Sequence, residues 1–194
     1  MNIVFNNRVE CEDALRKALN ASGNLVENDN AVIEAFAYSC HDEKAASRIG
    51  LELQIWRWVV KDDDLEIFKI VKDALVTLAA TSFALKDLNT AAITSLVLGL
   101  IALLRNAVRS GAKLTDEQVV VLTILRTVEA PVSANYLAGR LSPSNGRAAS
   151  ASWTVERVLK VLRSLTEIVT KKDVVALVRS VKQNESECWI AVGN

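Results

Sequence analysis

Residues 91 to 104, AAITSLVLGLIALL, run for 14 positions without a charge. A backbone taken out of water must close its own hydrogen bonds, and these residues are mostly good helix formers, so the run predicts a buried helix from about Asn89 to Arg109. A membrane span needs about 20 apolar residues. Lys86 and Asp87 stand just ahead of the run and Arg105 and Arg109 close behind it, so no membrane span is favoured. Ala91, Ser95 and Gly99 are spaced by four, which puts small side chains on one stripe where another helix can come close. The run is also more apolar than one face of a helix in its own bundle requires. Helices within 65–109 are therefore expected to hold a homodimer or bind a protein partner.

With 51% hydrophobic and 24% charged residues, the 194-residue chain has material for one core or two small ones. Only 7 Gly and 2 Pro interrupt long Ala-, Leu-, Val-, Lys- and Glu-rich stretches, so the expected fold class is mainly α. Cys11, Cys40 and Cys188 are odd in number and widely spaced, matching neither a disulfide framework nor a zinc site. The N-terminal MNIVFNNRVECEDAL has no basic segment ahead of an apolar one, so a reducing, cytoplasmic setting is expected.

Chemistry-bearing constellations are sparse. Cys40, His41, Asp42 and Glu43 are adjacent, and adjacent residues do not share a helix face; His41 is the sole histidine, so neither a triad nor a histidine-rich metal centre is expected. Gly139 and Gly146 are isolated and lack the Lys-Ser/Thr of a phosphate loop. Asp62, Asp63 and Asp64 read as carboxylates at the positive end of the apolar-periodic run from Leu65 to Leu85, offering a cap, with a metal site as the sharper and less favoured reading. The chain is expected to be no enzyme, with no cofactor and no metal.

Upstream, Glu12 to Asn20 and Ala31 to Ser39 read as helices. LELQIWRWVV (51–60) is ambiguous: Leu51, Leu53 and Ile55 alternate like a strand, while Leu51, Ile55 and Val59 repeat like a helix, and the helical context favours the helix. Arg109-Ser110-Gly111-Ala112-Lys113 reads as a helix end with a glycine stop and a hinge. This divides the chain into a helical domain, 1–112, for self-association or partner binding, and a second domain, 113–194. The first part carries 12 Lys+Arg against 15 Asp+Glu and the second 11 against 8, so positive charge gathers toward the C-terminus.

In the second part, Thr115 and Gln118 are spaced as a capping box, with Leu114 and Val119 as a hydrophobic staple. A helix is expected from Asp116 to about Thr127, burying Val119, Val120, Leu122 or Thr123, and Leu125, before Pro131 stops it. Ser133 caps a short helix, Ala134 to Leu141, with Tyr136, Leu137 and Leu141 inward. A polar loop, 142–152, supplies no apolar anchor and is expected to be mobile. WTVERVLKVLRSL (153–165) follows, capped by Ser152 or Thr154. Its packing face is Val155, Val158, Leu159, Leu162 and Leu165, and its other face is Glu156, Arg157, Lys160, Arg163 and Ser164. As a solvated face this needs no ligand, since Glu156 and Lys160 form a favourable i, i+4 pair. The segment 174–192 reads as a β-hairpin around Gln183-Asn184-Glu185-Ser186.

The order helix, short helix, helix, β-hairpin, carried by TDEQVVVLTILR, VSANYLAGRL, WTVERVLKVLRSL and the hairpin, resembles a winged helix-turn-helix domain over about 113–194. In such domains the third helix enters the major groove and the hairpin, or wing, touches the phosphate backbone. The resemblance implies that Ser152, Thr154, Arg157, Lys160 and Arg163, with Arg179 and Lys182 on the wing, contact double-stranded DNA in a non-enzymatic transcription regulator. A second reading keeps the winged helix and makes it a protein-interaction or adaptor subunit, because the formal net charge is zero and Glu185 and Glu187 offset Arg179 and Lys182. A third reading is a small membrane-active helical protein built on 74–104.

Overall fold

Arg57–Lys61 is a strand, β3, and its place in the middle of a sheet overturns the helical reading of this stretch. The computed structural model describes residues 2–21, 29–42, 57–81, 88–128, 130–143, 153–170, 173–183 and 186–192. Asn2–Phe5 (β1) pairs antiparallel with β3 on one side, Val4 opposite Val59, and His41–Asp42 (β2) pairs on the other. Trp58, Val59 and Val60 are residue types that suit a pleated, half-buried surface, and neighbours on both sides complete the backbone hydrogen bonds. Nothing in the local pattern at 51–60 announced those partners; residues 51–56 lie outside the described residues.

Arg8–Ala21 (α1) starts earlier than the expected helix, and Asp29–Ser39 (α2) packs against it. Asp62–Ala79 (α3) begins with the three aspartates inside its first turn, where the helix dipole favours them. Asp64 Oδ2 accepts the backbone N–H of Lys61 at 3.0 Å, capping the helix start. Thr90–Arg109 (α4) begins where the sequence places it, and Asn89 caps it, its Oδ1 accepting the N–H of Ala92 at 2.8 Å. Its Ile93, Leu96, Val97, Leu100, Ile101, Leu103 and Leu104 are buried, and the helix packs on α2 and α3; Ala91, Ser95 and Ala102 face solvent. The large side chains of the uncharged run thus turn into the chain's own core, and small ones are left outside. Among the described residues α4 is the one helix long and apolar enough to cross a membrane.

Gly111 ends α4 with φ 87°, a backbone conformation that costs glycine little and other residues more. It lets the Gly111 N–H reach the Val108 carbonyl at 2.8 Å and the Ala112 N–H reach the Ala107 carbonyl at 3.0 Å, satisfying two orphan carbonyls.

Asp116–Val128 (α5) follows, with its capping box formed: Gln118 Oε1 accepts the Thr115 N–H at 2.8 Å, and Thr115 Oγ1 accepts the Gln118 N–H at 3.4 Å. All residues from Val119 to Leu125 are buried, because α5 lies against α3 and α4 on one side and the C-terminal elements on the other. The buried residues form one cluster running from Cys11 through Phe36, Ile67, Leu100 and Ile124 to Trp189.

Val132–Ser133 (β4) leads into Ala134–Leu141 (α6), capped by Ser133 Oγ on the Tyr136 N–H at 3.2 Å. Val155–Thr166 (α7) packs on α5 and α6. Tyr136 does not point inward as expected: Leu137 and Leu141 are buried, while Tyr136 is 37% exposed. After α7, Ile168–Val169 (β5) and Val174–Val175 (β6) form a two-stranded ribbon of their own, so the C-terminal hairpin is shorter than the expected 174–192. It consists of Val178–Gln183 (β7) and Ser186–Ala191 (β8), and β4 adds to its free edge, giving the order β4-β8-β7 with Val132 opposite Trp189.

Candidate nucleic-acid interface

The surface that the sequence proposes for DNA is built on α7 and the β7–β8 hairpin. Thr154 is the N-cap of α7, its Oγ1 accepting the Arg157 N–H at 3.2 Å, which fixes where the helix starts. Val158, Val161, Leu162 and Leu165 are buried. Val155, expected in the packing face, is 37% exposed, and Val161 takes its place: with α5 and α6 as the neighbours, the packed stripe centres between Val158 and Leu165 and leaves Val155 at its rim.

The residues expected on the polar face divide into two groups. Arg157 and Ser164 lie toward α5. The Arg157 guanidinium donates from Nη2 to Glu117 Oε1 and sits 4.8 Å from the Trp153 ring centroid, and Gln118 Nε2 donates to Ser164 Oγ at 2.9 Å. Lys160 and Arg163 face solvent, and neither side chain enters a hydrogen bond or ion pair among the described residues. Glu156 is exposed as well, and helical spacing places it with Lys160 and Arg163 on one face, while Glu167, also exposed, is the residue at which α7 ends. That face therefore presents one carboxylate and two cations, with a second carboxylate at the helix end.

On the hairpin, Arg179 and Lys182 are both exposed but do not share a face. Arg179 stands opposite Ile190 and Lys182 opposite Glu187, and because strand side chains alternate, Arg179 groups with Val181 and Cys188 while Lys182 groups with Ser180 and Trp189. Lys182 has an acidic cross-strand neighbour, a pairing that stabilises a sheet modestly and lowers the charge available to a phosphate. Ser152 lies outside the described residues, as do Arg147, Lys171, Lys172, Glu185 and most of the 142–152 loop.

Two features of this surface escaped the sequence reading. Tyr136 and Arg140 form an exposed pair on α6, Arg140 Nε donating to the Tyr136 hydroxyl at 3.1 Å with its guanidinium 5.3 Å from the ring centroid. Their i, i+4 spacing in NYLAGR was the available signal. At the ribbon, Val169 and Val174 are cross-strand partners and are 77% and 57% exposed.

Elsewhere, Cys11 and Cys40 are poor nucleophiles. Burial pushes the Cys40 thiol up to about 11, with the charge of Asp64 adding to it, and burial pushes the Cys11 thiol up to about 12. His41 is placed in β2, opposite Trp58. No group of three or more His, Cys, Asp or Glu suited to a metal ion occurs among the described residues. Compared with known proteins, the chain matches no family model, no curated protein and no solved structure.

Proposed function

We propose that the C-terminal part of the chain is a winged helix-turn-helix unit that contacts double-stranded DNA through α7 and the β7–β8 hairpin, in a non-enzymatic regulator. The observation that carries this reading is the arrangement α5, β4, α6, α7, β7, β8 with β4 on the hairpin's edge, combined with exposed, unpaired Lys160 and Arg163 on α7. Phosphate contacts supply most of the affinity of such domains and make it depend on salt. Titrating the full chain onto random-sequence duplex over a salt series tests the reading. Binding that falls steeply as salt rises supports it, and no binding at low salt removes it.

A second reading, a winged helix used for docking a protein, is favoured by Glu156 and Glu167 flanking the α7 cations and by the exposed Val155, Val169 and Val174. In either reading we assign the helices within 65–109 to self-association or partner binding. The surface that offers itself is the small-residue side of α4, with Ala91, Ser95 and Ala102 exposed. Light scattering at tens of micromolar reads this part: a dimer supports self-association and a monomer removes it. The third reading, a membrane-active protein, would be removed by a purified chain that stays soluble without detergent.

A further inference from the structure

Arg126, in the last turn of α5, has a buried Nε with no hydrogen-bond partner, and its guanidinium enters no ion pair among the described residues. Buried donors are nearly always satisfied, so an open one beside a hollow marks where an acceptor can be placed. Beside it lies a hollow of about 320 Å³, lined by Leu88, Ala92, Ser95, Leu96 and Gly99 of the α4 side and by Arg126 and Thr127. No carboxylate is among the described residues that line it. The volume falls at the lower end of the range typical of small-ligand sites, and an apolar wall with a few convergent polar groups is their usual make-up.

We propose that this hollow binds a small organic anion, a carboxylate on an apolar chain, with its head on Arg126 and its body along Leu88, Ala92, Leu96 and Gly99. A guanidinium presents a planar fork that matches a carboxylate, and Ser95 and Thr127 supply hydroxyls at the same wall. The first turn of α4 brings its partial positive charge to the hollow, while the end of α5 brings a partial negative one. Those half-charges roughly cancel, and the full charge of Arg126 decides the sign. Gly99 keeps the space open: a Cβ built there meets nothing within 4 Å. Because the lining comes from the α4 side and from α5, an occupant would bridge α4 to α5, independently of whether the C-terminal part binds DNA.

The test is calorimetric titration of the full chain with octanoate, hexanoate, acetate and octanol. Octanoate should bind once per chain, hexanoate more weakly by roughly 15-fold because each of the two missing methylenes contributes about fourfold, and acetate and octanol should not bind. Arg126→Gln should weaken octanoate by roughly 10- to 100-fold, the loss of a charge-assisted hydrogen bond. Gly99→Leu should abolish binding while leaving the melting temperature unchanged or higher, since it fills open space and removes a glycine from a helix. Octanol binding as well as octanoate, unchanged octanoate affinity in Arg126→Gln, or no octanoate binding to the wild-type chain would each overturn the proposal. Gly99→Leu keeps the test sharp should Arg126→Gln fail to fold.

Discussion

Arg157 on α7 turns back onto Glu117 at the start of α5, stacked on Trp153, instead of standing in solvent beside Lys160. The pair clamps the two helices at the end where α7 begins. It is only partly buried, with the Arg157 and Glu117 side chains 31% and 42% exposed, so its worth is modest. Arg157→Ala should lower stability by about 1 kcal/mol, from a screened ion pair plus a ring contact. It should change DNA affinity by less than a factor of about three at moderate salt, since this cation is already committed. Denaturant melts and duplex titrations of the same variant check both statements, and a tenfold loss of DNA binding would show that Arg157 swings out to the phosphates.

The pair of Asp64 and Arg105 is of a different kind. Asp64 Oδ1 accepts from Arg105 Nε at 3.0 Å and from Nη2 at 2.8 Å, while Arg105 Nη1 reaches the Ser39 carbonyl at 3.2 Å, so one guanidinium ties α2, α3 and α4 together. The Asp64 side chain is 5% exposed and the Arg105 side chain 20%. Removing one partner of a buried pair strands the other. Asp64→Leu should therefore cost about 3 kcal/mol in chemical denaturation, with the lower end of the usual range expected because Arg105 keeps some water. The double change Asp64→Leu with Arg105→Met should recover much of that loss; a double variant as unstable as the sum of the singles would mean that the two residues do not act as a pair.

Alkaline pH gives a third prediction. Cys11 and Cys40 are buried, and their thiols are pushed from 9.0 up to about 12 and about 11, chiefly by burial. The folded chain therefore holds these protons more tightly than the unfolded chain. Their contribution is fully present below pH 9 and is lost as pH rises toward 11, at up to about 1.4 kcal/mol per pH unit for each thiol. Other groups titrate in the same window, so the comparison is with Cys11→Ala/Cys40→Ala, whose stability should fall less steeply between pH 9 and pH 10.5. Parallel curves would sink this explanation.

Much of the helical part was legible because its signals are local. The Gly111 stop, the Thr115–Gln118 box and the Ser133 cap all fall where local chemistry placed them, since each involves residues close in sequence. What was hidden depends on distant partners. β3 is a strand because β1 and β2 flank it, β4 exists because β8 passes beside it, and Val174 leaves the C-terminal hairpin because Val169 pairs with it. The candidate surface shows the same divide. Helical spacing placed Lys160 and Arg163 outside, but that Glu117 would claim Arg157, and that strand register would part Arg179 from Lys182, required the fold.

Lys160 and Arg163 carry the remaining prediction. They are exposed and one turn apart on α7, and the residues that hold the helix in place, Val158, Val161, Leu162 and Leu165, lie on its other side. Changing both to Glu reverses the local charge without touching that packing. Stability should move by about 0.5 kcal/mol or less for solvent-exposed positions, and with Glu156 and Glu167 nearby the change should be toward lower stability. If α7 contacts DNA, the variant faces phosphates with three carboxylates on one helix face, and each lost contact costs about 1–3 kcal/mol before repulsion, so binding should fall by more than a hundredfold. Restoring wild-type salt dependence with Lys160→Arg and Arg163→Lys, which keep the charge, would show that charge and not shape is read there. Unchanged duplex binding by the Glu variant would remove α7 from the interface and leave the protein-docking reading, with its exposed valines, as the one to pursue. A variant that unfolds would mean that this face of α7 is covered in the native protein.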